Sequence, residues 1–190
     1  GKTHLLHAIG HAVRSLGHTL IYTTTEEFTN EYITAIREGK TEGFRSRYRS
    51  ADMLLLDDIQ FLMGKEQTQE GFFHTFNSLH MANRQIVITT DRPVTALSLL
   101  EARVRSRLSG GLVVDIQRPD LETRIAILRA KANLLSCDIP DDALDYLARR
   151  SHRNIRELEG NLNRVAAFSQ LRESAITMDF VRVMLASEEE

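Results

Sequence analysis

The sequence predicts an α/β domain, a parallel sheet flanked by helices, followed by a small all-α domain. Short apolar segments of strand length alternate with amphipathic helical segments in the first part of the chain. This alternation is typical of a parallel sheet covered on both faces. After Pro119 only helical periods remain. We therefore expect the first domain over residues 1–118 and the helical domain over residues 119–190.

The elements of the first domain follow from the spacing of apolar residues. Thr25 is expected to cap the second helix, because Glu26 and Glu27 place carboxylates in its first turn. The pattern predicts helices over 3–16, 26–37, 41–48, 67–82, 95–99 and 101–108, and strands over 19–22, 53–56, 85–90 and 112–116.

Net charge, cysteine content and the length of the apolar runs limit the classes of protein to which the chain can belong. The formal net charge is −2, which argues against a uniformly basic nucleic-acid coat. Cys137 is the single cysteine, so an intramolecular disulfide framework is excluded and a reducing cytoplasmic location is expected. No apolar run approaches the roughly 18 residues of a membrane span, and no signal peptide is visible.

The chain opens with Gly1, Lys2 and Thr3, followed directly by a predicted helix. These residues match the last three positions of the phosphate-binding loop G-x-x-x-x-G-K-[ST]. In that loop Lys2 would reach the β- and γ-phosphates, and the Thr3 hydroxyl would bind Mg²⁺. The alternative is an ordinary surface turn before a helix. Because the chain begins inside the motif, we expect it to be a fragment.

Two carboxylates follow the buried strand 53–56. Asp57 and Asp58 would lie at the carboxyl edge of a parallel sheet, where ligands bind in such folds. Mg²⁺ is held in proteins by few carboxylates together with phosphates and water. Asp57 would hold the metal through its water shell, and Asp58 would orient or deprotonate the attacking water. Together with the phosphate-binding residues, the pair predicts a site for ATP and Mg²⁺.

Polar residues further along the chain allow two interpretations each. Asp91 follows the strand 85–90 and either senses the nucleotide or forms a turn with Arg92 and Pro93. Arg103, Arg105 and Arg107 alternate, and they form either a solvated basic face or a finger that reaches a neighbouring subunit's γ-phosphate.

Arg156 lies in the first turn of a predicted helix capped by Asn154. A cation at a helix N-terminus is electrostatically unfavourable, which hints at an anionic partner.

The order of these segments resembles the bacterial DnaA family of replication initiators, which are P-loop AAA+ ATPases. The resemblance runs from residue 1 to about residue 185. Its segments are GKTHLLHAIG, YRSADMLLLDDIQFL, EGFFHTFNSL, ITTDRP, LEARVRSRL, RPDLETRIAIL and NIRELEGNLNRV.

The resemblance implies a five-stranded parallel sheet with a helical lid, and a weak ATPase that uses hydrolysis of ATP to ADP as a switch. It assigns a role to each matching residue. These are Walker A at Gly1, Lys2 and Thr3, Walker B at Asp57 and Asp58, sensor 1 at Asp91, the arginine finger at Arg107, a second interface arginine at Arg103, and sensor 2 at Arg156.

The resemblance also implies contacts with single-stranded DNA through Ile33 and through the segment 65–68. Lys65 and Thr68 match the family pattern there. Gln67 stands where some members carry arginine, which leaves Lys65 as the main cation. Ile33 is equally compatible with a buried helix position.

The partners implied by the resemblance are those of an initiator. The chain would self-assemble with further copies into an ATP-dependent filament. It would also bind single-stranded origin DNA, the replicative helicase or regulators, and acidic membrane lipids. Duplex origin boxes would be bound by a C-terminal domain that this sequence does not contain. The alternatives are a DnaA-like regulatory AAA+ protein and a helicase loader. A third alternative, a metabolic P-loop ATPase, would not explain why Arg107 and Arg156 occur at these spacings.

Overall fold

A computed structural model describes residues 1–151 and 154–186 of the chain. The chain divides into two compact units, Gly1–Asp115 and Ile116–Glu190, whereas the sequence placed the boundary after residue 118. His152 and Arg153 lie outside the described residues, as does the end of the predicted lid domain at 187–190.

The first unit is an α/β layer structure, and it confirms the predicted fold class. Single 3-10 turns occur at Ile59–Leu62 and Val94–Ala96, and the second of these replaces the predicted helix at 95–99. In chain order the regular elements are α1 Lys2–Ser15, β1 Leu20–Thr24, α2 Thr25–Arg37, α3 Thr41–Arg49, β2 Met53–Asp57, α4 Glu66–Met81, β3 Gln85–Ile88 and α5 Ala102–Ser109.

The sheet has the order β1-β2-β3, and both pairs of strands are parallel. In the central strand β2, the side chains of residues 54–56 are almost fully buried, because helices cover the sheet. Gly10 lets α1 approach closely, since a Cβ atom there would lie 3.1 Å from Leu55. The register aligns the carboxyl ends of the strands, so that Thr24 pairs with Asp57 at the edge where the site is expected.

The start of α2 differs from the prediction by one residue. Thr24, and not Thr25, is the N-cap. Its side chain accepts a hydrogen bond from the Glu27 amide, and the Glu27 carboxylate accepts one from the Thr24 amide. This reciprocal pair needs an acid three residues after the cap; Thr24 has Glu27 at that position, whereas Thr25 has Phe28. Thr25 instead donates its hydroxyl proton to the Asp57 carbonyl at 3.0 Å, so it fixes α2 to the end of β2.

The strand predicted at 112–116 is wrong. This segment has no regular structure, and Leu112 is 93% exposed. Apolar composition favours a strand only where a neighbouring strand accepts its backbone hydrogen bonds, and in the described residues none lies beside this segment. The sheet of the described residues accordingly has three strands and not the five that the resemblance implies.

The second unit is all-helical in its described part. Its helices enclose a separate apolar core that includes Leu128, Leu147, Leu158 and Val181. Among the described residues, no helix is both long and apolar enough to span a bilayer. The helices are α6 Leu121–Leu134, α7 Asp141–Arg150, α8 Ile155–Arg172 and α9 Met178–Ala186.

Gly71 on α4 faces the ring of Tyr32 on α2, and a Cβ atom there would lie only 2.5 Å from that ring. Tyr32 is buried beside Phe28 and Phe44, so its ring has little room to move. A Cβ atom added at Gly43 on α3 would have no other atom within 4 Å. We expect Gly71→Ala to be less stable than Gly43→Ala by about 1–3 kcal/mol, the usual cost of overpacking.

Chemical denaturation of the two variants measures this difference. The gain in helix propensity, up to about 1 kcal/mol per Gly→Ala change, applies to both variants and cancels in the comparison. Equal free energies of unfolding would show that α2 and α4 can separate without cost.

Candidate nucleotide site

The N-terminus of α1 has the features of a phosphate-binding helix end. Gly1 is the N-cap residue, no side chain caps the helix there, and its first turn contains no acidic residue. The helix dipole and the first-turn N–H groups therefore favour an anion at this position. Lys2 and Thr3, the residues assigned to the phosphates and to Mg²⁺, form the first turn and are partly exposed.

The two Walker B carboxylates differ in their surroundings. Asp57 ends β2 and is only 3% exposed. Asp58 is partly exposed and adopts a left-handed backbone conformation, with φ 60° and ψ 57°. This conformation costs energy for any residue with a Cβ atom, and aspartate tolerates it better than most. Strain of this kind is concentrated at functional sites.

Thr89, which the sequence analysis did not single out, connects both carboxylate residues. It follows β3 and is 8% exposed. Its hydroxyl donates a short hydrogen bond to Oδ1 of Asp57 and accepts one from the Asp58 amide at 2.9 Å. Its own amide donates to the Leu56 carbonyl at 3.0 Å, and its carbonyl accepts from the Ile59 amide at 2.9 Å. Thr89 thus fixes the segment that carries the candidate metal ligand and the candidate base.

Tyr22 of β1 adds a second neighbour that the sequence did not reveal. Partial burial raises the pKa of Tyr22, and the negative charges of Asp57 and Glu27 raise it further. The phenol therefore stays neutral beside the carboxylates over the physiological range. Its ring contacts the His7 imidazole of α1, with ring centroids 4.4 Å apart, so it joins α1 to the edge of the sheet.

Asp91 forms an ion pair with the neighbouring Arg92, and its assignment as a nucleotide sensor stays a prediction. The Arg92 guanidinium, through two hydrogen bonds of 2.8 Å, is the main cause of a lowered pKa at Asp91, and the positive charge of Lys2 adds to it. The Asp91 amide also donates to Oε1 of Gln60 at 3.3 Å. Asp91 is therefore an anion held by Arg92, and its carboxylate also experiences the positive charge of Lys2.

The arginines of α5 occupy different environments. Arg103 and Arg107 are exposed, and both guanidinium groups lie over the ring of Phe73 on α4. Arg103 also donates to the Glu101 carboxylate at 2.6 Å. Arg105 is partly buried. The interface roles of Arg103 and Arg107 stay predictions.

The residues predicted to bind DNA lie on two neighbouring elements. Ile33 is partly buried on α2, and Lys65 is the exposed N-cap of α4. Gln67 is exposed, whereas Thr68 is only 2% exposed. This burial counts against a DNA contact through the Thr68 side chain, because a hydroxyl in the core cannot reach a phosphate. Sequence spacing alone could not show that Gln67 is exposed and Thr68 is buried.

Arg156 belongs to the second unit. It is exposed in the first turn of α8, and Asn154 caps that helix by accepting a hydrogen bond from the Glu157 amide at 2.8 Å. Its assignment to sensor 2 stays a prediction.

The oxygen donors of the first unit fit magnesium. Mg²⁺ takes one or two carboxylates, and phosphates and water complete its coordination sphere. Asp57 and Thr3 supply a carboxylate and a hydroxyl of this kind, and the uncapped end of α1 can receive the phosphates. The residues present therefore fit a magnesium–nucleotide complex.

Comparison with known families matches each unit separately. Residues 1–115 match the model of the bacterial DnaA ATPase domain. Residues 121–185 match the model described as the lid domain of Hda.

Individual proteins agree with these matches. The chain is 56% identical over 188 residues to the chromosomal replication initiator protein DnaA of Chloroflexus aggregans, covering 98% of the chain but 39% of that relative. The structure of domain III of Thermotoga maritima DnaA matches with a TM-score of 0.94 and 35% identity, covering 98% of this chain and 79% of that one.

A structure of the replication initiator DnaA bound to AMPPCP and single-stranded DNA is also similar. It matches with a TM-score of 0.79 and 36% identity, covering 91% of this chain and 55% of that chain. The chain spans about two fifths of the length of the curated relatives it matches. By its matches to the ATPase-domain model and to these relatives, the chain belongs to the bacterial DnaA family.

Proposed function

We propose that this chain is the ATP-binding module of an initiator of chromosomal DNA replication. The observation that carries the proposal is the convergence of one fixed set of groups on one edge of the sheet. Asp57 is held there by Thr89, Tyr22 beside Asp57 contacts His7 of α1, and the charge of Lys2 acts on Asp91. Family membership and the AMPPCP-bound relative support ATP as the ligand.

Each residue has a distinct task in the proposed cycle. Lys2 and the first-turn amides of α1 bind the phosphates, and Asp57 and Thr3 hold Mg²⁺ through oxygen ligands. A metal ion held by these residues would neutralise charge on the phosphate oxygens. Asp58 orients the attacking water and accepts its proton. Hydrolysis is slow when the finger arginine is missing, so that ATP and ADP mark two states of a switch.

The ATP-bound state is proposed to self-assemble into a filament at the origin. Arg107 contacts the γ-phosphate of the neighbouring subunit, Arg103 supports the same interface, and Arg156 of the lid reports on the nucleotide. The assembly engages single-stranded DNA through Ile33 and Lys65, as supported by the relative bound to such DNA, and promotes duplex opening.

The whole protein would bind duplex origin boxes through a further C-terminal domain. Contacts with the replicative helicase, with regulators and with acidic membrane lipids are part of the same proposal. We also propose a cytoplasmic location, because the protein would act on the bacterial chromosome.

Nucleotide-dependent assembly tests this function. The complete protein, sedimented with origin DNA in ATP–Mg²⁺ and in ADP–Mg²⁺, should form large complexes in ATP only. Equal assembly in both nucleotides would contradict the switch. Measurement of ATP affinity with and without Mg²⁺ tests the phosphate site independently of assembly.

A DnaA-like regulatory AAA+ protein is the second candidate, because residues 121–185 match a lid model that is described under another name, Hda. A helicase loader would share the ATP site as well. Specific binding of the complete protein to duplex origin boxes supports the initiator, whereas binding only to another initiator or to the helicase supports one of these alternatives.

Lys65→Ala should weaken binding of single-stranded DNA and reduce the salt dependence of that binding. One lost phosphate contact lowers the slope of log K against log salt by about 0.7 for a single strand. Fluorescence anisotropy of a labelled oligonucleotide over a range of salt concentrations measures this slope. Lys40→Ala is the control, because it removes the same charge from another exposed N-cap of the first unit. The same slope in both variants would remove Lys65 from the DNA path.

A further inference from the structure

Phe73 on α4 contacts the two exposed arginines of α5. The guanidinium carbon of Arg103 lies 4.9 Å from the centre of the Phe73 ring, and that of Arg107 lies 5.9 Å away. The arginines are four residues apart, so they project from the same face of the helix. Both distances are within the range of attraction between a cation and the negative face of an aromatic ring.

The contact is specific to this ring. Phe76, one turn further along α4, is also partly buried, but its ring neighbours are Phe72 and His80. No cation lies over the Phe76 ring among the described residues. Phe76 also lines a small cavity together with Arg107, so it is a nearby ring that differs from Phe73 in having no cation over its face in the described part of the chain.

The two arginines are not equivalent in charge. The Glu101 carboxylate, 2.6 Å from Nε of Arg103, largely compensates the positive charge of that side chain. In the part of the chain that the structure describes, no carboxylate pairs with Arg107. Arg107 thus combines a free positive charge with a preferred position over the ring.

We propose that Phe73 is a positioning residue that holds Arg107 ready for the phosphate of a neighbouring subunit. This inference rests on the proposed function, in which Arg107 is the finger. A ring that contacts the face of a guanidinium leaves the N–H groups at its edge available for phosphate oxygens. The ring also limits the freedom of a long, exposed side chain before assembly, so that less conformational entropy is lost when the interface forms.

The test compares Phe73→Met with Phe76→Met in the complete protein. Methionine keeps most of the apolar volume and lacks the ring. Phe73→Met should weaken ATP-dependent assembly about two- to fivefold per interface relative to Phe76→Met, the range of an exposed cation–π contact. ATP affinity of the unassembled protein should be unchanged, and Phe73→Tyr, which keeps the ring face, should restore assembly.

The outcomes separate this inference from the proposed function. If Arg107→Ala abolishes assembly while Phe73→Met equals Phe76→Met, the role of Phe73 is overturned and the finger stands. If Arg107→Ala leaves assembly intact, the finger assignment and the inference are both wrong. Thermal unfolding verifies that both methionine variants are folded, and Phe73→Leu with Phe76→Leu replaces the pair if either is not.

Discussion

Arg107→Ala is expected to abolish ATP-dependent assembly while ATP binding by the unassembled protein stays near normal. The side chain is exposed on α5, and in the proposed function it binds the neighbour's nucleotide and not that of its own chain. A contact to a neighbour's γ-phosphate links nucleotide state to the interface, so that its loss removes the coupling free energy between the two sites. An arginine finger also contributes about 10³–10⁵-fold to hydrolysis, so stimulation of ATPase activity on assembly should be lost as well.

Arg105→Ala is the matched control for this experiment. It removes the same charge from the same helix at a position that does not face Phe73. Sedimentation with ATP and with ADP, together with calorimetric titration of ATP at a low protein concentration, separates assembly from binding. Assembly of Arg107→Ala to the parental level would disprove the trans contact, and an equal loss in Arg105→Ala would show that charge alone matters.

The central strand and its two carboxylates could be predicted from the sequence, because the signal is local. The apolar run that ends in Asp57 and Asp58 predicts a buried parallel strand, and here strands lie on both sides of it. The helices of both units could also be predicted, since their apolar spacing is local in the same way.

The role of Thr89 could not be predicted, because it depends on the register between strands. Leu56 pairs with Ile88, which places the next residue of each strand, Asp57 and Thr89, side by side. A shift of one residue would turn Thr89 to the other face of the sheet. Sequence reasoning located the edge and selected Asp91, the charged residue two positions later, without information on register.

Tertiary context also explains the other differences. The segment 112–116 has the composition of a strand but no neighbouring strand in the described residues, so it stays irregular. The contact of Phe73 with the arginines could not be predicted either, since nothing in the sequence shows that α5 lies across this ring.

Thr89→Val should reduce both the stability of the first unit and its rate of ATP hydrolysis. Valine keeps the shape of threonine and lacks the hydroxyl, so the Asp58 amide loses an acceptor and the buried Asp57 carboxylate loses a donor. A buried group left without its partner costs about 1–3 kcal/mol. Because one misplaced hydrogen bond of about 1.4 kcal/mol changes a rate tenfold, single-turnover hydrolysis should fall at least about tenfold, with a smaller change in ATP affinity.

Thr90→Val controls for the change of residue type, because the Thr90 hydroxyl donates to the Arg92 carbonyl at 2.9 Å and accepts from the Arg92 amide at 3.4 Å, and neither bond involves the carboxylates. Thr89→Ser should recover most of the activity, since the serine hydroxyl can make both hydrogen bonds. Chemical denaturation and single-turnover kinetics of the complete protein measure the two effects separately. If Thr89→Val loses stability but hydrolyses ATP at the parental rate, Thr89 supports only the fold. If it matches Thr90→Val in both measurements, the hydroxyl does not hold the carboxylates, and the geometry at this edge of the sheet has to be reassigned.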